Sequence, residues 1–482
     1  MRCVPSIGLE VHVQLKTASK IFCSCSVTFG GGSNTQVCQV CLGLPGVLPV
    51  VNRKAVDLAL KAACAFGCEI NRVSLFARKN YFYPDLPKGY QISQFEEPLA
   101  EHGCLLIPSN GNFKKIGITR IHLEEDAGKL MHPGSDSAVN ESRIDINRCG
   151  TPLIEIVSEP DLASPAEAHE YLSRLKQILL YLGVSDCNMD EGSLRCDANV
   201  SVRPKESDTL GTKTELKNLN SFRFVEKALT FEIRRQQDIL KRGEKVLQQT
   251  LAWDESSNSA VVMRTKEGSD DYRYFPEPDL IPLEIDQRRI EKIKASLPEL
   301  PQKKFDRFIE QYGITPNTTE ILTSSRELAD YYEEIIKSGV DSVRAANWLL
   351  SEVLSILNEQ KITISDFPVT PEGIGELLRF VEQETISGKI AKNVFSEMVG
   401  SGESAASIIK RQGLEQITDD TALATAVDQV LRDHENDVQA YLGGKEKVFG
   451  FFVGQVMKAT RGKANPGVVN RILKDKLNAK KT

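Results

Sequence analysis

A strict alternation of apolar and polar residues near the start of the chain predicts a β-strand. Between positions 7 and 15, the later apolar residues are Leu9, Val11, Val13 and Leu15, and the polar ones are Glu10, His12 and Gln14. A period of two gives a strand one buried face and one polar face. Glu10 and His12 should therefore point the same way, roughly 7 Å apart along the strand. Taken alone, such a strand is typical of a half-exposed antiparallel sheet.

The same kind of pattern recurs four more times, each time with acidic residues on one face. The stretches are 121–126, 153–159, 196–203 and 212–219. A carboxylate within an apolar strand is costly to bury unless it is paired or binds a metal ion. If these strands belong to one sheet, we expect a single concave surface that carries Glu10, His12, Glu124, Glu125, Glu155, Asp197 and Glu215.

So many carboxylates on one surface would repel one another without a cation between them. A donor set of many oxygen atoms and one imidazole suits Mg²⁺ or Mn²⁺ better than zinc. The pattern therefore predicts a magnesium site that handles phosphate groups.

Helical periodicity fills the rest of the chain. It predicts helices at 53–66, 164–182 and 222–242, and from about Ile290 onwards it predicts helices without strands. Gly400-Ser-Gly-Glu-Ser is the best flexible boundary in the second half. We therefore predict a multidomain α+β protein. A mostly antiparallel β-sheet cradle with flanking helices (1–290) precedes an all-α middle domain (291–400) and a small all-α tail domain (401–482).

Composition limits the class of protein. At 482 residues the chain is too long for one core. No apolar stretch reaches about 18 residues, and the chain enters a strand almost at once, so we expect neither a membrane span nor a signal peptide. An odd number of cysteines, 11, points to reduced thiols in the cytoplasm. The net charge of −6 argues against nonspecific nucleic-acid binding by the whole surface, although 441–482 carries ten Lys and Arg against two acids.

Four cysteines form two close pairs within about 22–42. Cys23-Ser-Cys25 and Cys38-Gln-Val-Cys41 are separated by twelve residues. This spacing fits a tetrahedral four-cysteine zinc site of the closed, structural kind. The alternative is four unligated thiols in a reducing compartment.

Aromatic and cationic residues are interleaved between 78 and 94. Tyr81, Phe82, Tyr83 and Tyr90 lie among Lys79, Lys88 and two prolines. Such a stretch suits stacking against the bases of a single-stranded nucleic-acid end. An aromatic-rich structural loop is the alternative, and composition alone favours it.

One longer motif resembles a known family. The stretch 145–158 reads Asp-Ile-Asn-Arg-Cys-Gly-Thr-Pro-Leu-Ile-Glu-Ile-Val-Ser. It is similar to the hallmark of the GatB family, whose members are one component of the glutamyl/aspartyl-tRNA amidotransferase. The resemblance runs from Ile7 to the C-terminus and includes 79–94, 191–199, 215–221 and 267–278. The four cysteines match the zinc-bearing members of that family, while other members lack them.

The resemblance implies an activity. Members of the family act on misacylated Glu-tRNA(Gln) or Asp-tRNA(Asn), whose side-chain carboxylate ATP converts to an acyl phosphate that ammonia then attacks. The ammonia comes from a separate amidase subunit (GatA), and a small third subunit (GatC) completes the complex. This chain has no evident Ser-Lys or G-x-S-x-G amidase motif. It also lacks a Walker motif, so Mg²⁺ and the acidic surface would have to hold ATP.

The resemblance also suggests roles for residues. It makes His12, Glu125 and Glu155 the first candidates for metal ligands, and with Glu10 they form the expected catalytic set. It makes Glu124, Asp197 and Glu215 further ligands of the metal ion or of ATP. Lys79, Tyr81, Lys88 and Tyr90 would line the pocket for the acceptor end of tRNA, and the basic tail domain would grip the tRNA body. Asp270 and Asp271 are either further acidic ligands or part of a capped turn.

Two other functions stay open at this point. The chain would be a noncatalytic, zinc-stabilised tRNA-binding scaffold if the acidic residues merely formed a solvated face of the sheet. A metal-dependent hydrolase of RNA would share the acidic site and would cleave phosphodiesters. No residues in the sequence are evidently arranged as the base or nucleophile of such a hydrolase.

Overall fold

In a computed structural model of the chain, the alternating stretch at 7–15 lies within β1 (Cys3–Gln14). The structure describes residues 3–109, 111–131, 141–264, 272–414, 420–460 and 463–480. They divide into two units, Met1–Pro301 and Gln302–Thr482. A large sheet dominates the first unit and helices dominate the second, which confirms the α+β class.

The strands lie in the first unit. After β1 come β2 (Glu69–Ile70), β3 (Val73–Ser74), β4 (Ala77–Asn80), β5 (Tyr90–Ser93), β6 (Ala100–Ser109), β7 (Asn112–Glu125), β8 (Lys129–Met131), β9 (Arg143–Asp145), β10 (Pro152–Ser158), β11 (Leu194–Pro204), β12 (Thr214–Lys217), β13 (Thr250–Asp254), β14 (Ser259–Arg264), β15 (Phe275–Pro276) and β16 (Leu283–Glu284). The first helices are α1 (Arg53–Ala65), α2 (Pro165–Leu182), α3 (Phe222–Lys241) and α4 (Gln287–Ala295).

Nine of these strands form the main sheet, in the order β14-β13-β12-β11-β1-β10-β7-β6-β2. Strand β1 lies at its centre and pairs antiparallel with β10 and β11. Among the described pairings in this sheet, β12 with β13 is the parallel one. The sheet is thus mostly antiparallel, and all five alternating stretches belong to it.

One face of the sheet is the hydrophobic core of the first unit. Leu9, Val11 and Val13 of β1 are buried there together with residues of α1, α2 and α3. Local signals fix the helix ends: the Ser164 side chain accepts a hydrogen bond from Glu167 N at the start of α2, and Gly183 with φ of 64° follows its end. The other face therefore carries the polar residues of the alternation.

The first unit continues beyond the boundary predicted near position 290. Helix α4 packs on α1, where Arg289 Nε donates to Asp57 Oδ1 at 2.9 Å and Ile290 joins the core. The unit therefore runs to Pro301. Outside the main sheet, β15, β4 and β5 form a small sheet that carries Lys79 and Tyr90.

The second unit is helical. Its α-helices are α5 (Pro301–Tyr312), α6 (Pro316–Leu322), α7 (Arg326–Lys337), α8 (Ser342–Trp348), α9 (Leu354–Gln360), α10 (Pro371–Glu382), α11 (Gly388–Ser401), α12 (Ala405–Gln412), α13 (Asp420–Asp433), α14 (Glu435–Leu442), α15 (Val448–Ala459) and α16 (Pro466–Ala479), with a π-helical turn at Leu349–Val353 and a 3₁₀ turn at Ile364–Asp366. Two buried apolar clusters lie here, one between Phe308 and Ile409 and the other between Leu423 and Leu477. A domain boundary near position 400 stays a prediction.

Within the described ranges, no helix is long and apolar enough to cross a membrane.

Candidate functional site

The polar face of the main sheet lines a cavity of about 550 Å³. Strand register gathers its residues, because directly paired residues of neighbouring strands point to the same side. His12 pairs with Glu155, which pairs in turn with His122, and Glu10 pairs with Asp197. Glu215 joins them through its pairing with Asn199. Of the seven residues expected on one surface, all except Glu125 line this cavity.

His12, Glu124 and Glu155 form a tight cluster at the centre. The Nε2 atom of His12 lies 3.4 Å from Glu124 Oε1 and 3.3 Å from Glu155 Oε2. His122 approaches from the other side, with its Nε2 atom 3.3 Å from the same Glu155 oxygen. Only 2% of the Glu124 side chain and 10% of the Glu155 side chain are exposed, so the cluster lies at the floor of the cavity.

The electrostatics of the cluster favour a bound cation or proton. Burial disfavours the charged form of His12, yet the carboxylates of Glu155 and Glu124 outweigh it and raise its pKa to about 9. Burial likewise disfavours the Glu155 carboxylate, but His122 and His12 hold its pKa well below the usual range. The same carboxylates that retain a proton on His12 would attract a divalent ion.

The chemistry of these donors fits Mg²⁺ or Mn²⁺. One donor atom each from His12, Glu124 and Glu155 can be chosen so that all lie within 4.8 Å of one another. Two carboxylates and one imidazole leave positions in an octahedral shell for water or phosphate oxygen atoms. In addition, His122 Nδ1 is buried without a hydrogen-bond partner among the described residues.

Three further acids surround Glu10 beside this cluster. Asn199 Nδ2 donates to Glu10 Oε1 at 2.8 Å, and Lys217 Nζ bridges Asp197 Oδ2 and Glu215 Oε1 at 2.7 and 2.8 Å. Burial and the nearby charges of Glu155, Glu215 and Asp197 raise the pKa of Glu10. Glu10 can therefore take up a proton more readily than an ordinary glutamate.

Protein cations neutralise part of the acidic surface, which corrects the expectation that a bound ion alone separates its charges. Arg195, paired with His12 across the strands, lines the cavity, and its Nη2 atom lies 2.9 Å from Asp126 Oδ1. Asp126 is 2% exposed, and Arg195 and Arg148 lower its pKa against the effect of burial. Burial disfavours a charge on Lys79, but attraction to Glu124 and Glu155 raises its pKa.

The placement of Glu125 corrects the expected acidic surface and ligand set. Consecutive residues of a strand point to opposite faces, so Glu124 faces the cavity and Glu125 does not. Glu125 Oε1 lies 2.5 Å from Lys88 Nζ and accepts a hydrogen bond from Ile92 N at 2.9 Å. The structure thus brings Glu124, and not Glu125, to His12 and Glu155.

Lys88 and Tyr90 also lie away from the acidic cavity. Together with Glu125 they line a second cavity of about 230 Å³ beside Cys23 and Cys41. Lys79 and Tyr81 do line the acidic cavity, as predicted, in the company of Tyr272 and Tyr274. The four residues expected around the tRNA acceptor end are therefore split between two cavities.

The four cysteines come together. The Sγ atoms of Cys23, Cys25, Cys38 and Cys41 all lie within 4.8 Å of one another, and those of Cys38 and Cys41 are 4.0 Å apart. Sulfur atoms bound to one tetrahedral zinc ion would lie roughly 3.8 Å apart. A hydrogen bond from the Cys23 thiol lowers the pKa of Cys41, although burial opposes this, and the thiolate is the form that binds metal. The cluster fits a structural zinc ion.

Comparison with protein families shows a match over most of the chain. The GatB/GatE catalytic domain matches residues 5–291, and the GatB domain matches residues 330–477. The chain belongs to the GatB family.

Individual GatB relatives are similar over nearly the whole length. The chain is 56% identical over 471 residues to the GatB subunit of the aspartyl/glutamyl-tRNA(Asn/Gln) amidotransferase of Carboxydothermus hydrogenoformans, covering 98% of each chain. It is 55% identical to the protein of the same name from Moorella thermoacetica, covering 98% of this chain and 99% of that one. The corresponding protein of Geobacter sulfurreducens is 52% identical, with 98% of each chain covered.

Some cavity residues of this GatB chain were not among the predicted site residues. His122 and Arg195 could have been found, because each is two positions from a predicted acid on the same strand, Glu124 and Asp197. Tyr272 and Tyr274 are brought in by long-range contacts that no local pattern reveals. Asp270 and Asp271, considered as further ligands, lie outside the described residues.

Proposed function

We propose that this chain is the kinase and transamidase subunit of a tRNA amidotransferase. Its substrate is misacylated Glu-tRNA(Gln), Asp-tRNA(Asn) or both. A side-chain carboxylate oxygen attacks the γ-phosphorus of ATP, and ADP leaves. Ammonia then attacks the acyl carbon, phosphate leaves, and the surplus proton of the nitrogen is lost. The names of the relatives support this reaction class.

The observation that carries the proposal is the buried His12–Glu124–Glu155 cluster at the floor of a cation-lined cavity. A solvated sheet face does not need a histidine between two buried carboxylates. These three residues would hold Mg²⁺ or Mn²⁺, and the ion would supply positive charge for the phosphate oxygen atoms. Phosphoryl transfer between two anions depends on such neutralisation and on alignment.

The chain's own residues supply the remaining functions. Lys79 and Arg195 line the cavity as cations that can bind anionic substrate groups, and Asp126 fixes the guanidinium of Arg195 at 2.9 Å. Glu10, whose pKa is raised, is the candidate acceptor for the proton that the attacking nitrogen loses. Lys217 holds Asp197 and Glu215 in place.

Partners follow from the division of labour. We assign ammonia supply to an amidase subunit (GatA), with a small third subunit (GatC) in the same cytoplasmic heterotrimer. The relatives are named as one subunit of an amidotransferase, which supports an assembly of several chains. The basic 441–482 segment is assigned to tRNA phosphates, because lysine and arginine there outnumber acids ten to two. The four cysteines would bind a structural zinc ion.

The test is conversion of Glu-tRNA(Gln) and of Asp-tRNA(Asn) by the assembled complex, with ATP and ammonium chloride in place of glutamine. The released amino acid is identified by chromatography. We expect glutamine or asparagine with the wild-type chain and none with Glu155→Gln. Equal conversion by wild type and Glu155→Gln would refute the role of the cluster. Shortened tRNA in place of amidated amino acid would indicate an RNA hydrolase.

A further inference from the structure

One end of the acidic cavity is lined by four aromatic side chains, Tyr81, Phe95, Tyr272 and Tyr274, here called the aromatic wall. Its rings are continuous: the centroids of Tyr81 and Tyr272, and of Tyr272 and Tyr274, are 6.1 Å apart, and Tyr274 stacks on Phe95 at 4.1 Å. All four side chains are half-buried, unlike rings of the hydrophobic core such as Tyr171, which is 0% exposed. The wall therefore presents aromatic surface to the cavity.

The backbone behind the wall is held in an uncommon conformation. Arg273, between the two tyrosines, has a φ of 45°, in the left-handed region. The side-chain amide of Asn80 donates to the carbonyl oxygen atoms of Tyr272 and Arg273, at 3.2 and 2.7 Å. A strained residue of this kind persists where its surroundings impose it, which is frequent at ligand sites. Asn80 thus ties Tyr272 to the strand that carries Lys79.

Positive charge borders the wall. Lys79 Nζ lies 4.9 Å from the centroid of the Tyr272 ring, and the guanidinium carbon of Arg120 lies 5.7 Å from that of Phe95. The His12–Glu124–Glu155 cluster lies in the same cavity. Flat apolar rings beside cations and a candidate metal site match a ligand that combines a planar base with phosphate groups.

We propose that the aromatic wall is an adenine-binding subsite. The inference rests on the proposed function, in which both ATP and the 3′-terminal adenosine of tRNA bring an adenine to this cavity. Base stacking on aromatic side chains supplies the binding energy, while Lys79 and Arg120 attract the adjoining phosphates.

The first experiment measures binding of ADP and of inorganic tripolyphosphate to the full-length chain by calorimetry in the presence of Mg²⁺. For Tyr272→Ala and Tyr274→Ala we expect the Kd of ADP to rise about 5- to 150-fold, the range measured for loss of one base stack. The Kd of tripolyphosphate, which lacks a base, should stay within about twofold. Tyr272→Phe keeps the ring and should bind ADP like wild type.

Two further variants guard against structural effects. Phe82→Ala is the matched control, because this ring is 83% exposed and does not line the cavity, and it should leave the Kd of ADP unchanged. If Tyr272→Ala fails to fold, Tyr272→Leu replaces it, since leucine keeps apolar bulk without an aromatic face.

The second experiment identifies the source of the adenine. In the assembled complex, a higher KM for Glu-tRNA with an unchanged Kd for ADP would assign the wall to the tRNA end, and the reverse would assign it to ATP. Unchanged values for both, in Tyr272→Ala and Tyr274→Ala alike, would overturn the proposal. Absence of any ADP release by the wild-type complex would instead refute the proposed function, while the calorimetric comparison would still decide whether the wall binds adenine.

Discussion

Replacing Glu155 by glutamine tests the metal cluster with a minimal change of shape. The side chain keeps its size and one oxygen atom and loses its charge. Its carboxylate oxygen now lies 3.3 Å from both His12 and His122. Without that charge, the pKa of His12 should fall from about 9 towards its ordinary value of 6.5, because attraction to Glu155 is the largest influence that raises it.

The size of the effect on metal binding follows from Coulomb's law. Two unit charges 4 Å apart attract by about 4 kcal/mol at an effective dielectric constant of 20, and a divalent ion doubles this to about 8 kcal/mol. The amide oxygen can still coordinate, and Glu124 remains, so about a third of this attraction should be lost. About 3 kcal/mol corresponds to roughly a 100-fold higher Kd.

The assay is titration of the full-length chain with Mn²⁺, followed by electron paramagnetic resonance of the free ion. Glu284→Gln makes the same chemical change at an exposed position and should bind Mn²⁺ like wild type. Equal Kd values for Glu155→Gln and wild type, with both proteins folded, would refute the assignment of the cluster.

Three further predictions concern the same chain. Glu124→Gln should weaken Mn²⁺ binding roughly as Glu155→Gln does, whereas Glu125→Gln, at Lys88, should leave the Kd of Mn²⁺ within about twofold; the opposite order would contradict the face assignment. Mn²⁺ affinity should rise with pH up to about 9 and then level off, because His12 must lose its proton to bind the ion, and a flat profile from pH 6 to 9 would contradict this. Cys38→Ser should reduce the zinc content measured by emission spectrometry and lower Tm, and unchanged zinc would exclude this ligand set.

The strands and most of the acidic surface could be predicted because alternation is a local property. A period of two places Glu10 with His12 on β1, whatever the strand's neighbours are. Once the strands join one sheet, register brings Glu155 and Asp197 to the same side. The same rule separates Glu124 from Glu125, but the run of three acids at 124–126 obscured where the strand ends.

Other parts of the site depend on contacts between distant segments. Lys79 comes from the small sheet of β15, β4 and β5, and Tyr272 is held through Asn80, which is 192 positions away in the chain. The pairing of Lys88 with Glu125 likewise needs the packing of β5 against β7. Hydrophobic periodicity identifies elements but not such packing, so the split between the two cavities became visible only in the structure.

The most direct test of the central claim is release of ADP by the assembled complex on ATP and Glu-tRNA(Gln), with uncharged tRNA as control and Asp-tRNA(Asn) in parallel. Ammonium chloride replaces glutamine, so that amidase activity plays no part. We predict ADP only with charged tRNA and its loss in Glu155→Gln, because activation of the carboxylate requires both the acyl group and the cluster. Absence of charge-dependent ADP with either substrate would contradict the account and favour a noncatalytic tRNA-binding scaffold.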